Sequence, residues 1–187
     1  MAQARRSSLA LLLAALALAS FAAAAVTITN ITEWHVQSAG TPPVVKVAGA
    51  DVDGTLLSVS TQTAGDGTNR TIITIKGYTG DPTKYDEVIK ICNKDTAKSY
   101  AVSLVYQGVI GGDWTYVKYL KLWLGTAGPL NIDSGTPTGA SVGPVTVGPG
   151  SCVPVPAEVL IDADTPSSMW YTDLVSIRVD VVSTTPP

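Results

Sequence analysis

The residues of this chain with chemistry beyond packing are few: two cysteines, one histidine and three short acidic clusters. The clusters are Asp51-Val52-Asp53-Gly54, Asp66-Gly67 and Asp162-Ala163-Asp164. Carboxylates two apart beside a turn glycine can hold Ca²⁺, but the twelve-residue loop closed by a bidentate Glu is missing. Asp and Gly at strand ends more often build turns. His35 has no Cys, Ser or Asp motif around it that would make a metal site or a nucleophile and its base. Gly150-Ser151-Cys152 sets a hydroxyl and a thiol beside glycine, yet lacks the Gly-x-Ser-x-Gly elbow and the helix after it. These residues predict no catalysed reaction, no metal site and no cofactor.

The chemistry that remains is covalent and structural. In an exported chain the simplest reading of Cys92 and Cys152 is one disulfide, with two buried free thiols as the other reading. Asn30-Ile31-Thr32 and Asn69-Arg70-Thr71 are N-glycosylation sequons. In the block Trp114 to Leu124, Tyr119 and Trp123 share one strand face and could stack against a sugar. Trp114, Tyr116, Leu120, Leu122 and Leu124 take the other face and read as core. A strand buried on both sides explains the same pattern without a ligand.

The elements that carry these residues begin at a sharp junction. Residues 1–25 are MAQARRSSLALLLAALALASFAAAA, with Arg5 and Arg6 as a positive n-region, an apolar stretch from Leu9 to Ala19, and small-x-small sites in the alanine run. That is the pattern of a cleaved signal peptide. The expected product is extracellular or on the cell surface and meets the membrane only during export. About 160 residues would remain, enough for one domain with a real core. The mature chain would carry ten basic against fifteen acidic side chains, a charge of −5. That balance lacks the basic stripe a nucleic-acid partner needs.

After the leader, β-branched residues alternate between Gly, Pro, Asn and Asp turn signals roughly every ten residues, which predicts an all-β chain. Tyr100, Val102, Leu104 and Tyr106 form one strand face, and Val175, Ile177, Val179 and Val181 another. Further strands are expected at 44–47, 56–61, 71–76, 88–92, 116–124, 142–147 and 153–161, with a short helical turn over 81–88 and a long surface loop over 126–143. Pro154 and Pro156 point their missing N–H groups the same way, which predicts an edge for the strand over 153–161. About ten strands suit a two-sheet, jelly-roll-like β-sandwich over residues 37–187.

The segment 26–36, Val-Thr-Ile-Thr-Asn-Ile-Thr-Glu-Trp-His-Val, sits directly after the leader. Val26, Ile28, Trp34 and Val36 share its even face, and Ile31 breaks the pattern from the odd side. It is either the first strand of its own sandwich or a donor strand that fills a groove in the next subunit. Head-to-tail repetition of the second kind gives an open filament. If the even face enters a groove, Asn30 points inward, where a glycan has no room.

This leader and strand, then Ile89-Lys-Ile-Cys-Asn-Lys-Asp95 running into Tyr100-Ala-Val-Ser-Leu-Val105, then Val147-Gly-Pro-Gly-Ser151 opening a strand that ends Ile161-Asp162, together resemble the archaeal bundling pilins. Those are related to the TasA-type biofilm matrix fibre proteins. The resemblance implies a jelly-roll subunit that polymerises with copies of itself by donor-strand complementation, with neighbouring filaments or a cap subunit as further partners. Two other readings compete. One is a type IV pilin-like subunit that keeps its N-terminal helix; the other is a monomeric secreted module that binds carbohydrate or belongs to a surface layer.

Overall fold

The computed structural model describes residues 32–33, 35–37, 40–63, 65 and 68–185. The leader over 1–25 and the segment residues Val26, Ile28, Asn30, Ile31 and Trp34 lie outside that set. The chain divides into a unit of residues 1–39 and a compact unit of residues 40–187. Ten strands follow in chain order: β1 (Val44–Ala48), β2 (Leu57–Thr63), β3 (Asn69–Ile75), β4 (Thr83–Asn93), β5 (Tyr100–Gly112), β6 (Val117–Leu124), β7 (Ala127–Ile132), β8 (Ser141–Val147), β9 (Cys152–Ile161) and β10 (Val175–Thr184). A single 3₁₀ turn, Ser167–Met169, precedes β10, and no α-helix occurs among the described residues.

All strand pairs are antiparallel. A five-stranded sheet has the order β1-β4-β9-β6-β7, a three-stranded sheet the order β10-β5-β8, and β2 and β3 form a separate hairpin. One buried cluster draws on both larger sheets: Ile89 and Ile91 from β4, Leu130 and Ile132 from β7, and Val153 and Val155 from β9 meet Val102, Leu104 and Tyr106 from β5. The chain is therefore all-β, with a core consistent with a β-sandwich. Alternation places these residues: in β9, Val153, Val155, Ala157, Val159 and Ile161 are buried, while Pro154, Pro156 and Leu160 between them are only partly so and Glu158 is buried on the opposite face by its own partners. β5 follows the same rule with Val102, Leu104 and Tyr106 buried and Ala101, Ser103 and Val105 half-buried.

Three sequence expectations are corrected. Residues 83–93 are strand rather than a helical turn over 81–88, and a register shift between Tyr85 and Ile89 marks a bulge there. The backbone of that bulge is bonded by the chain after β1, through Gly49 N–H to the Val88 carbonyl and Asp51 N–H to the Glu87 carbonyl. Its polar Asp86-Glu87 pair gave a helix-like signal from what is a strand irregularity. The stretch 126–143 contains β7, because Leu130 and Ile132, two apart, suffice to seat one strand face in the core.

The third correction concerns β9, which lies inside its sheet between β4 and β6. The β6 ladder nevertheless ends at Leu122 opposite Ala157, so both prolines fall beyond it, Pro154 opposite Lys90 of β4 and Pro156 at the register shift of that pair. The missing N–H groups thus sit outside the β6 pairing, and the strand is central only over its second half.

Candidate functional site

Cys92 and Cys152 are bonded to each other, face to face in the β4–β9 register with Cα atoms 4.0 Å apart. Directly beyond them Asn93, 1% exposed, ends β4. Its amide nitrogen donates to the carbonyls of Lys98 (2.7 Å), Val147 (3.1 Å) and Gly148 (3.0 Å), and its amide oxygen accepts from Asp95 N–H at 2.9 Å. The segments 89–95 and 147–151 therefore meet around Asn93, whose side-chain bonds add to the backbone bonds from Asn93 N–H to the Ser151 carbonyl and from Gly150 N–H to the Asp95 carbonyl, next to the disulfide. Both segments stand out in the sequence, whereas the role of Asn93 does not. A lone amide closing the apolar run Ile89-Lys-Ile-Cys was the available signal.

Two of the three acidic clusters bond the backbone, and Asp66-Gly67 lies outside the described residues. Asp53 Oδ1 accepts from the N–H groups of Thr55, Leu56 and Leu57 at 2.8 to 3.0 Å, and the Leu57 and Thr55 bonds lead in holding its carboxyl below the usual range. Asp51 accepts from Glu87 N–H. Asp162 pairs with the Lys118 ammonium, the main cause of its lowered pKa, and accepts from Asp164 N–H. Among the described residues no three His, Cys, Asp or Glu side chains converge as metal ligands do. His35 lies 3.3 Å from the Glu33 carboxylate, both well exposed. Ser151 Oγ donates to its own turn, at the Pro149 carbonyl.

On the outer face of the five-stranded sheet, Glu158 of β9 lies between Lys84 of β4 and Lys121 of β6, its register partners. Lys121 Nζ is 2.9 Å and Tyr119 OH 2.8 Å from Glu158 Oε1, and Lys84 Nζ is 3.3 Å from Oε2. The Lys121 and Tyr119 hydrogen bonds hold the Glu158 carboxyl down to about 2. The same contact raises Tyr119 and Lys121, and the Lys121 ammonium also sits 4.1 Å from the Tyr119 ring centroid. Sequence reasoning did not anticipate this cluster. Tyr119 and Trp123 do share the outer face, as the alternation predicts, but Tyr119 is committed to Glu158. Trp123 instead lines a shallow depression with Lys84, Tyr85, Asp86, Gly125, Pro156 and Ala157.

The sheet edges differ sharply. β1 has five residues, follows Pro42-Pro43 and carries Lys46; β7 contains Pro129 and β8 contains Pro144. Short strands, lysine and proline all blunt an edge against further pairing. β10 has ten residues and no proline, bonds only to β5 among the described strands, and is an outermost strand of the three-stranded sheet. Its core-facing side chains Val175, Ile177, Val179 and Val181 are only half-buried, whereas Val102, Leu104 and Tyr106 on neighbouring β5 are at most 3% exposed. Arg178 and Asp180 pair with each other on the opposite face at 2.8 Å. The β2–β3 hairpin, with Ile72 and Ile73 exposed, bonds to neither larger sheet.

Of the predicted donor residues only Val36 is described; it lies outside any strand and is 95% exposed. Asn69 opens β3 and is exposed, its amide oxygen accepting from Thr63 Oγ1 across the hairpin at 3.2 Å. No described helix is long and apolar enough to cross a membrane. No protein-family model matches the chain, and no curated protein matches it.

Proposed function

We propose that the chain is an exported structural subunit of an extracellular pilus or matrix fibre, in which residues 26–36 of one copy add as a strand beside β10 of the next. The observation that carries this reading is the long, proline-free edge of β10 together with its half-open core face. An added strand would bring the three-stranded sheet to four, as in the paired sheets of a jelly roll. Eleven residues at about 3.3 Å each span roughly 36 Å, and the ten of β10 roughly 33 Å, so one segment covers one edge. The disulfide is compatible with export to an oxidising compartment.

Magnitudes favour a contact that uses side chains and backbone together. Burying Val26, Ile28, Trp34 and Val36 is worth about 1.5–3 kcal/mol each. Association costs roughly 4–15 kcal/mol, so a ladder of net ~0.5–1.5 kcal/mol per hydrogen bond has to supply the surplus. Electron microscopy of the mature chain tests the reading. Residues 26–187 are expected to form filaments, and a chain lacking 26–36 to remain monomeric and folded. Filaments that persist without 26–36 would overturn the proposal.

A further inference from the structure

We propose that the depression on the outer face of the five-stranded sheet binds a neutral pyranose sugar, with Trp123 as its stacking wall and Lys84 and Asp86 as its polar contacts. The depression is open and has a volume of about 240 Å³, below the ~300–1,000 Å³ of pockets for drug-sized ligands and of the order of one sugar ring. Its lining comes from β4, β9 and the end of β6 in the five-stranded sheet, with the core residues Tyr85 and Ala157 beneath it, and includes nothing from β10, so it stands independently of the assembly reading.

Its lining is mixed in the way a sugar requires. Pro156 and Gly125 give it an apolar floor over the buried Tyr85 and Ala157, and the half-buried Trp123 adds an indole. β7 leaves room for the indole: a Cβ at Gly128, whose φ is +121°, would lie 3.2 Å from Trp123 Cδ1. A larger residue there would push the ring aside. The C–H face of a pyranose packs on such a ring while its hydroxyls need donors and acceptors at the margin. Asp86 is exposed, and its carboxylate has no hydrogen-bond or ion-pair partner among the described residues. Lys84 is 71% exposed, and its ammonium makes one 3.3 Å contact with Glu158, leaving donors available. Charge selects the ligand class. Lys84 and Lys121 are balanced by Asp86 and Glu158, so the face favours neither an acidic sugar nor a cation.

The test is nitrogen-15 NMR of the chain lacking residues 1–36, which keeps the whole compact unit of residues 40–187 and stays monomeric, titrated separately with methyl β-D-glucopyranoside, methyl α-D-mannopyranoside, N-acetylglucosamine and, as an acidic control, glucuronate. Binding by so small a ligand is expected in the millimolar range. At least one neutral sugar should move the Trp123 indole signal with the Lys84 and Asp86 amides, and leave the Trp114 and Trp170 indoles in place. D86N and K84A, at exposed positions that leave the fold intact, should each weaken binding about tenfold or more. W123Y should retain part of the affinity and W123A none. Four outcomes would overturn the proposal: no shift with any neutral sugar, shifts confined to Trp170, tighter binding of glucuronate, or full affinity in D86N and K84A.

Discussion

Removing the disulfide should lower the stability of the domain without altering its fold, and the size of the loss follows from where the bridge lies. Cys92 and Cys152 are 60 residues apart in sequence and direct partners in the β4–β9 ladder. Closing a loop of that length removes unfolded-state entropy worth about 4 kcal/mol at room temperature. For a domain of this size each kcal/mol moves Tm by roughly 2–4 °C, so the expected fall is about 8–16 °C. The ladder itself survives, because the next position is held by Asn93 N–H to the Ser151 carbonyl at 2.9 Å. Calorimetry of the oxidised protein, the reduced protein and a Cys92→Ala/Cys152→Ala variant separates bridge loss from lost sulfur packing at Cys92, which is 3% exposed. Reduced and doubly substituted proteins should melt close together, with unchanged far-UV spectra. A loss below about 1 kcal/mol on reduction would refute the entropic reasoning.

Other substitutions probe the remaining joints. Asn93→Ala leaves the Asp95 N–H and the Lys98, Val147 and Gly148 carbonyls without their side-chain partner, and at ~1–3 kcal/mol per unsatisfied buried group should cost about 3 kcal/mol in urea unfolding. A cost within experimental error of zero would show that water replaces the amide. Glu158 ionises at about 2 in the folded chain against an ordinary 4.5, so the unfolded chain binds more protons in acid. Its contribution is complete above about pH 4.5 and disappears as pH falls from there towards 2. Glu158→Gln should flatten the pH dependence of unfolding in that window, and an unchanged slope would assign the acid sensitivity elsewhere. Gly49→Ala would set a Cβ 1.8 Å from the Glu87 carbonyl oxygen, so it should displace the chain after β1 and destabilise by several kcal/mol, on the scale of ~1–3 kcal/mol or more for overpacking. A wild-type melting temperature would show that this turn moves freely.

Strand identity was legible wherever apolar residues alternate over several positions. Val102, Leu104 and Tyr106 lie where that period places them, and Cys92 and Cys152 pair as the simplest reading expects. Strands were misread where local chemistry imitates another element. Asp86-Glu87 after Pro82 has a helix-start composition but occupies a bulge, and Gly128-Pro129 hides a strand held by Leu130 and Ile132. The candidate sites were legible only in part, because they depend on register between distant segments. Trp123 was visible as an outward aromatic, whereas its neighbours Lys84 and Asp86 come from a strand roughly forty residues earlier, through the β4–β9–β6 pairing. The contrast between the open edge of β10 and the proline-blunted β7 and β8 likewise appears only once the strand order is known.

The central claim is that β10 receives a strand from another copy, and amide hydrogen exchange on the assembled mature protein tests it most directly. Against a monomeric reference lacking residues 26–36, assembly should slow exchange by orders of magnitude at alternate amides of Val175–Thr184, those on the side away from β5, and the amides of 26–36 in the assembled protein should exchange far more slowly than those of an unstructured peptide. Equal exchange at β10 in both states, with new protection on β1 or β7 instead, would contradict the account.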